Sequence, residues 1–405
     1  MRILTRLSCI VLVLVGAAQA ADSLNVRRIG FCPTSDWALG VAASGDYAYV
    51  AAFHAGLRVI LVADPAHPVE VGYFGASGNQ MRSVEVVGNL AYVADCDSSL
   101  RIISVTDPST PVEVGRVELP ARAMGIDVSG GYAYVADDDS GLRVVSVADP
   151  AHPVEVGHYA GVRGAIDVVV VGDYAYVADN GNGLCVVSVA DPSNPVEVGR
   201  YVGTGRAYGV AVSGGCAYLA AGSSGLRIDS IADPAHPFEV GYCDSLGSAT
   251  DVEVTEDFAH VAAWNGPGYS VVSVSDPEHP VVVGHYGIGN AGSVALRGGY
   301  AYVVGYAGLH ILQFYGEAVE EAPIDDARQA STIATVVRGT LALPTGSSPM
   351  AEPMSLLDAS GREVLRLRPG ANDVSGVRRG VYFVREESQA SSHKLQAARK
   401  IILVK

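Results

Sequence analysis

The sequence predicts an all-β chain: a seven-bladed β-propeller closed by its own N-terminal strand, followed by a small C-terminal β-sandwich. Two observations carry that expectation. Asp-Pro pairs at Asp64, Asp107, Asp149, Asp191, Asp233 and Asp276 recur at steps of 43, 42, 42, 42 and 43 residues, and a further copy starting at Tyr300 stops short of its Asp-Pro. Each copy also divides into four short runs alternating with period two, and four strands per repeat of that length mark a propeller blade. The composition agrees, since 47 Gly and 20 Tyr suit many turns and aromatic-rich strands. A net charge of -16 excludes a protein that coats nucleic acid, which needs a basic surface.

Residues 1–20 read as a secretory leader. Arg2 and Arg6 precede an apolar run over 7–15, and Ala18-Gln19-Ala20 is a small-x-small cleavage site. The run is too short to span a bilayer, so no transmembrane anchor is expected after removal. Five cysteines then remain: Cys32, Cys96, Cys185, Cys216 and Cys243. Their odd number leaves at least one free thiol, and without a C-x-x-C pair neither a zinc ribbon nor a disulfide framework is expected. Cys185 replaces the Arg of sister copies and Cys216 a Tyr or Phe, as small buried hydrophobes would.

Residues 25–31 align with 68–73, a fourth strand lacking its first three, while the copy from Tyr300 has three strands lacking a fourth. The N-terminal strand is therefore expected to complete the last blade, so that the ring has no free edge there. Within a typical copy, an inner strand at 126–128 leads through Gly-Gly to 132–136. A polar turn, a third strand at 142–147, an Asp-Pro-x-x-Pro turn and a fourth strand at 154–158 follow. Proline cannot sit inside a ladder, so both prolines mark strand ends.

The runs YAYVADDDSGLRVVSVADP and YAYVAAFHAGLRVILVADP, with their sister copies, resemble the LVIVD repeat family of bacterial propellers. That resemblance implies an exported or surface-exposed protein and says little about chemistry. After a propeller over 21–316 and an acidic linker over 317–331, residues 332–405 read as the sandwich, with strands expected at 333–343, 354–358, 363–367, 380–385 and 400–404. This module has 11 Lys or Arg against 6 Asp or Glu, about +5. Residues 21–330 have 14 Arg against 37 acidic residues, about -23. The stretch LLDASGREVLRLRPGANDVSGVRRGVYFVRE and the closing RKIILVK resemble the C-terminal sorting domain of type IX secretion substrates, close to flagellar-hook-cap immunoglobulin-like domains. Gly380, Tyr382, Lys400 and Lys405 carry most of that likeness. It implies contact with secretion machinery and a place outside the cell or on its outer surface, with the periplasm as the fallback.

Residues that break the repeat are the candidates for function. Three equivalent sets line the expected funnel: Trp37, Gln80, Arg122, Gly164, Arg206, Ser248 and Asn290; then Leu39, Arg82, Met124, Ile166, Tyr208, Thr250 and Gly292; then Ala42, Glu85, Asp127, Val169, Ala211, Glu253 and Ala295. Trp37, Tyr208 and Trp264 beside Gln80, Arg82, Arg122 and Arg206 form a candidate site for an extracellular protein, peptide or glycan ligand. The repeated Arg58, Arg101, Arg143 and Arg227 are expected to pair with carboxylates inside the blades. His67, His152, His236 and His279 interchange with Thr110 and Asn194 in one turn, as turn hydrogen bonding would allow. Asp95, Asp97, Asp137 and Asp139 are a weak alternative as a cation site, with turn chemistry the plainer account.

No cofactor and no metal is expected, and no funnel position offers the His that a nucleophilic triad needs. The expected function is a non-enzymatic exported binding or scaffolding module. The alternative is a carbohydrate-active hydrolase or lyase using Glu85, Asp127 and Glu253.

Overall fold

The computed structural model describes residues 23–75, 80–203, 205–314 and the strand segments 335–338, 340–343, 354–357, 363–367, 370–373, 380–386 and 399–404. The leader, the linker and Lys405 lie outside the described residues. Seven four-stranded antiparallel units follow one another along the chain, each running from an inner strand outward. Blade two shows the pattern in Met81–Val87, Leu90–Asp95, Ser99–Ser104 and Val112–Glu118.

The N-terminal strand does what the truncated repeat requires. Val26–Pro33 pairs antiparallel with Gly308–Phe314 and becomes the fourth strand of blade seven. Its pairing slips by one residue between Arg28 and Gly30, as the other third-to-fourth strand pairs do, for example between Val59 and Ile60. A bulge at that point increases local twist, so the borrowed strand reproduces the bend of the native ones.

Closure can also be followed through glycine. A Cβ on Gly72 would meet the Pro108 carbonyl oxygen at 2.2 Å, and one on Gly115 the Pro150 oxygen at 2.0 Å. In blades one to five the fourth strand thus lies against the Asp-Pro turn of the next blade, too close for any side chain. Gly30 meets Pro65 in the same way, which seats blade seven on blade one. Blade six has no such neighbour, because the seventh copy lacks an Asp-Pro turn. There Gly284 faces the Leu24 oxygen and the Phe314 ring, and Ser23–Leu24 adds a fifth strand to blade six. The sequence did not suggest this extra strand; it fills the place of the missing turn.

The core lies between blades. One apolar cluster joins Tyr302, Val304, Leu309 and Ile311 of blade seven to Ala38, Val41, Val50 and Ile60 of blade one. At about 1.5–3 kcal/mol per fully buried large aliphatic side chain, repetition of such contacts round the ring is the main stabilising term. The Ala at the second position of every second strand is buried, Ala48, Ala91, Ala133, Ala175, Ala217 and Ala259 completely so. Its small volume lets adjacent sheets approach closely.

Arginine and aspartate form a second, polar interior. Asp95 is fully buried and accepts from Arg101 Nε at 2.8 Å, while Arg101 Nη1 reaches Glu113 at 2.8 Å. Blade three has the looser counterpart, with Arg143 Nε 3.5 Å from Asp137 and Arg143 Nη1 donating to Glu155 at 3.2 Å. In blade four Cys185 occupies the arginine position, and Arg200 of the neighbouring strand supplies the guanidinium instead, reaching Asp179 at 3.0 Å and Glu197 at 2.7 Å. Cys185 is fully buried as expected, with its sulfur 3.4 Å from Arg200 Nη2. All five cysteines among the described residues are free.

In the C-terminal segments, Arg399–Val404 pairs in parallel with Thr335–Arg338 and antiparallel with Gly380–Glu386, and Met354–Leu357 and Glu363–Leu367 extend that sheet. Thr340–Leu343 pairs separately with Gly370–Asp373. The run expected at 333–343 is thus two strands in different sheets, and Gly370–Asp373 is a strand outside the expected set.

Candidate functional site in the central funnel

The inner strands enclose a cavity of about 560 Å³. All seven members of the second predicted ring line it: Leu39, Arg82, Met124, Ile166, Tyr208, Thr250 and Gly292. Of the ring two residues earlier, only Arg122 and Ser248 do so. Trp37, Gln80 and Arg206 are therefore not brought into the cavity, because at that point the chain has already risen to the rim.

Each of those three has a different place. Gln80 serves through its main chain, donating its N–H to Asp95 Oδ1 at 2.9 Å. Arg206 is exposed outside the cavity. Trp37, 51% exposed, stacks on Tyr306 with centroids 4.8 Å apart and planes at 26°, and Tyr306 in turn lies 6.4 Å from Trp264. Since Trp264 lines the cavity, these three rings make an aromatic lip beside its mouth.

Tyr306 was missed by sequence reasoning, although a signal existed. Phe53, Cys96, Asp138, Asn180, Gly222, Trp264 and Tyr306 occupy one position, immediately after the residue equivalent to Asp95, and no two are alike. Three of them, Asp138, Asn180 and Trp264, line the cavity. Asp138 also orients Arg122, accepting from its Nε at 3.0 Å and its Nη2 at 2.6 Å. On the adjacent blade, Arg82 lies on the wall without an ion pair among the described residues.

Below the mouth the wall becomes acidic. Glu85, Asp127 and Glu253 line the cavity as the third ring predicts, and Asp167 and Asp251 join them. The last two were overlooked because their inner-strand position is Gly or Ser elsewhere, as in Gly125, Gly209 and Ser293. Three of these carboxylates hold the ring together. Asp127 Oδ2 accepts the Val170 N–H at 2.6 Å, Asp167 Oδ2 the Val210 N–H at 3.0 Å, and Asp251 Oδ2 the Val294 N–H at 2.9 Å, each on the next blade. A Cβ on Gly125 would meet the Asp167 Cα at 2.7 Å, so glycine on one blade makes room for aspartate on the next.

Glu85 and Glu253 have no such backbone task in the next blade. Burial pushes the Glu85 carboxyl up to about 7, with the Asp127 charge adding to it. Glu253 is exposed to the open channel, with protein packed densely around that channel. The desolvation this brings pushes it up to about 8, and Asp251, Asp167 and Glu85 contribute in that order. Burial likewise raises Asp127, Asp167 and Asp251. Desolvation and like charge both favour the protonated acid, so the throat shares protons near neutral pH.

The other proposed ligand sets do not converge. Asp95 and Asp137 point inward, fully buried, whereas Asp97 and Asp139 are exposed, so the cation alternative is not assembled. His67, His152, His236 and His279 each contact the aspartate of their own turn, at 2.8, 2.9, 2.9 and 3.2 Å. Among the described residues no group of three or more His, Cys, Asp or Glu is arranged to hold a metal ion, and no helix is long and apolar enough to cross a membrane.

Among solved structures, the chain is similar to the computationally designed Ika8 protein, at 8% identity and a TM-score of 0.52, over 70% of this chain and 98% of that one. That likeness concerns the fold alone. No curated protein matches the chain. The LVIVD repeat model matches residues 37–75, 78–118, 120–161, 163–202, 204–245, 246–287 and 288–312, one match for each blade, and the chain belongs to the LVIVD repeat family.

Proposed function

We propose that this propeller is an exported, non-enzymatic binding module that takes its ligand at the funnel mouth, with the C-terminal strands acting as a secretion and surface-sorting domain. One observation carries the binding reading. The cavity wall is built from positions where the repeats disagree, and it sets Arg82, Arg122, Tyr208 and Trp264 around one concave space. Scaffold positions repeat because every blade needs the same packing, whereas a site needs different chemistry from each blade. The aromatic lip offers flat apolar faces and the arginines offer forked donors, a pairing suited to a glycan or a peptide. Export rests on the residue pattern of 1–20, and sorting on the likeness of the tail.

A glycan and peptide array probed with the full chain tests the binding reading. Retained ligands should be lost when Arg82 and Trp264 are both changed to Ala. An array with no ligand, or binding indifferent to both changes, overturns it. For the address, a secreted fraction should lack residues 1–20 and should vanish when 332–405 are deleted.

A second reading has one observation in its favour: acids of displaced proton affinity gather in the same cavity, as glycoside hydrolysis requires. Polysaccharide turnover that disappears in Glu253→Gln would establish it in place of the first.

A further inference from the structure

We propose that the seam between the N-terminal strand and the last strand of blade seven is an acid-sensitive latch, opened by protonation of His310. Three changes set this blade apart. Blades one, two, three and five pair an arginine with a glutamate across the third and fourth strands, as Arg58 does with Glu70 at 3.1 Å. Blade seven has His310 and Arg28 at those two positions. Where Asp95, Asp137 and Asp179 end the second strands of blades two, three and four, it has Gly305. The polar interior of the closing blade thus holds a base and a cation, with neither carboxylate.

The imidazole is buried and its polar atoms are unanswered. His310 is 6% exposed, and neither Nδ1 nor Nε2 has a hydrogen-bond partner. It stands opposite Phe31 in the closing ladder, with the two rings 4.8 Å apart. The Arg28 guanidinium lies 5.6 Å from the same phenyl ring. An imidazolium here would find no acceptor and would meet a second cation, so the seam tolerates His310 only as the neutral base. In blades one to six the Asp-Pro turn ties the third strand to the fourth. The pair in blade seven has no turn between its strands, so it can part without straining one.

The surroundings fix the direction of the pH dependence. The titratable and charged groups on the strands packed around His310 are Arg27, Arg28 and Cys32 of the N-terminal strand and Tyr300 and Tyr302 of the second strand. Blade six adds Tyr269, His285 and Tyr286. No carboxylate is among them. Asp36, the first acid after the N-terminal strand, is already engaged by His54 and by the Trp37 N–H. Burial lowers His310 to about 4, with the Arg28 charge adding to it. An unfolded histidine takes up its proton near 6.5, before the folded one does. The latch is therefore whole above about pH 6.5 and weakens as pH falls towards 4, the opposite sense to the throat carboxyls.

Hydrogen exchange of the full chain at pH 7 and pH 4.5, read by mass and corrected for intrinsic rates, tests this on Val26–Pro33 and Gly308–Phe314. On acidification their protection should fall by at least about tenfold more than that of Leu142–Ser146 and Val154–Tyr159, the matching strands of blade three. His310→Leu should remove that difference, because the new side chain has no proton to take up. His310→Arg combined with Arg28→Glu, which rebuilds the pair of blade one, should remove it too. An equal fall in both blades, or a seam just as acid-sensitive in His310→Leu, would overturn the latch. The comparison between blades needs only the unaltered protein, so it decides the matter even if a variant misfolds.

Discussion

Two sets of carboxylates in this ring have different fates. Where the second strand ends in blades two, three and four, Asp95, Asp137 and Asp179 are fully enclosed with a guanidinium nearby, at 2.8, 3.5 and 3.0 Å, although burial still raises Asp137 to about 6. In the throat, Glu85 and Glu253 are crowded by other acids instead. The first arrangement fixes a hairpin. The second stores unfavourable electrostatics that no packing requirement explains. Carboxylates paired within every blade that has them belong to the scaffold, and those left facing one another mark the place where the molecule awaits something.

Breaking a scaffold pair should be the larger insult. Arg101→Ala leaves Asp95 buried and unpaired, and should cost about 3–5 kcal/mol in chemical denaturation. Glu253→Gln at pH 6 should leave the unfolding midpoint where it was, and a comparable loss there would erase the distinction. Arg200→Ala tests the displaced arginine of blade four. Its side chain is 20% exposed, so a smaller loss of about 2–3 kcal/mol is expected. Cys185→Arg combined with Arg200→His restores the blade three pattern and should recover most of it.

Asp229 sharpens the comparison from another side. It stands where sister strands carry Ile60, Ile103, Val145 and Val187, both its oxygens are buried without partners, and burial followed by Glu239 pushes it up to about 7. Asp229→Val should stabilise blade five by about 1–3 kcal/mol.

The same shifts predict how stability depends on pH. Carboxyls whose proton affinity is raised on folding bind more protons in the native state, so their contribution is fullest below about pH 4 and is lost as pH climbs through 7 to 8. A melting series should show this decline, and the Gln variants of Glu85 and Glu253 should soften it. Last and smallest, His67→Asn should move stability by no more than about 0.5 kcal/mol, since this turn histidine is 81% exposed.

Much of the ring was legible in the chain because repetition states its own register. Blade number, the borrowed N-terminal strand and the lining at 39, 82, 124, 166, 208, 250 and 292 all follow from aligning copies. The inward pairing of Arg101 and Arg143 followed from their recurrence. What stayed hidden depends on contacts between unlike copies. Asp167 and Asp251 read as ordinary strand residues until the glycine beside each is seen, and Tyr306 meets Trp37 only because the last blade closes on the first. Arg206 and Gln80 were misjudged for a simpler reason: alignment gives a residue's place along the strand and leaves open how far it stands from the axis.

Closure has a consequence for how this chain comes into being. Arg27 and Gln313 form hydrogen bonds across 286 residues of sequence, so the first strand to leave the ribosome is among the last to find its partner. Blades one to six can assemble in order of synthesis, each on its predecessor, but the ring stays open until residue 314 exists. Were the chain threaded across a membrane from its N-terminus, as the proposed export requires, that strand would travel unmatched, and the circle would form only once residue 314 had crossed.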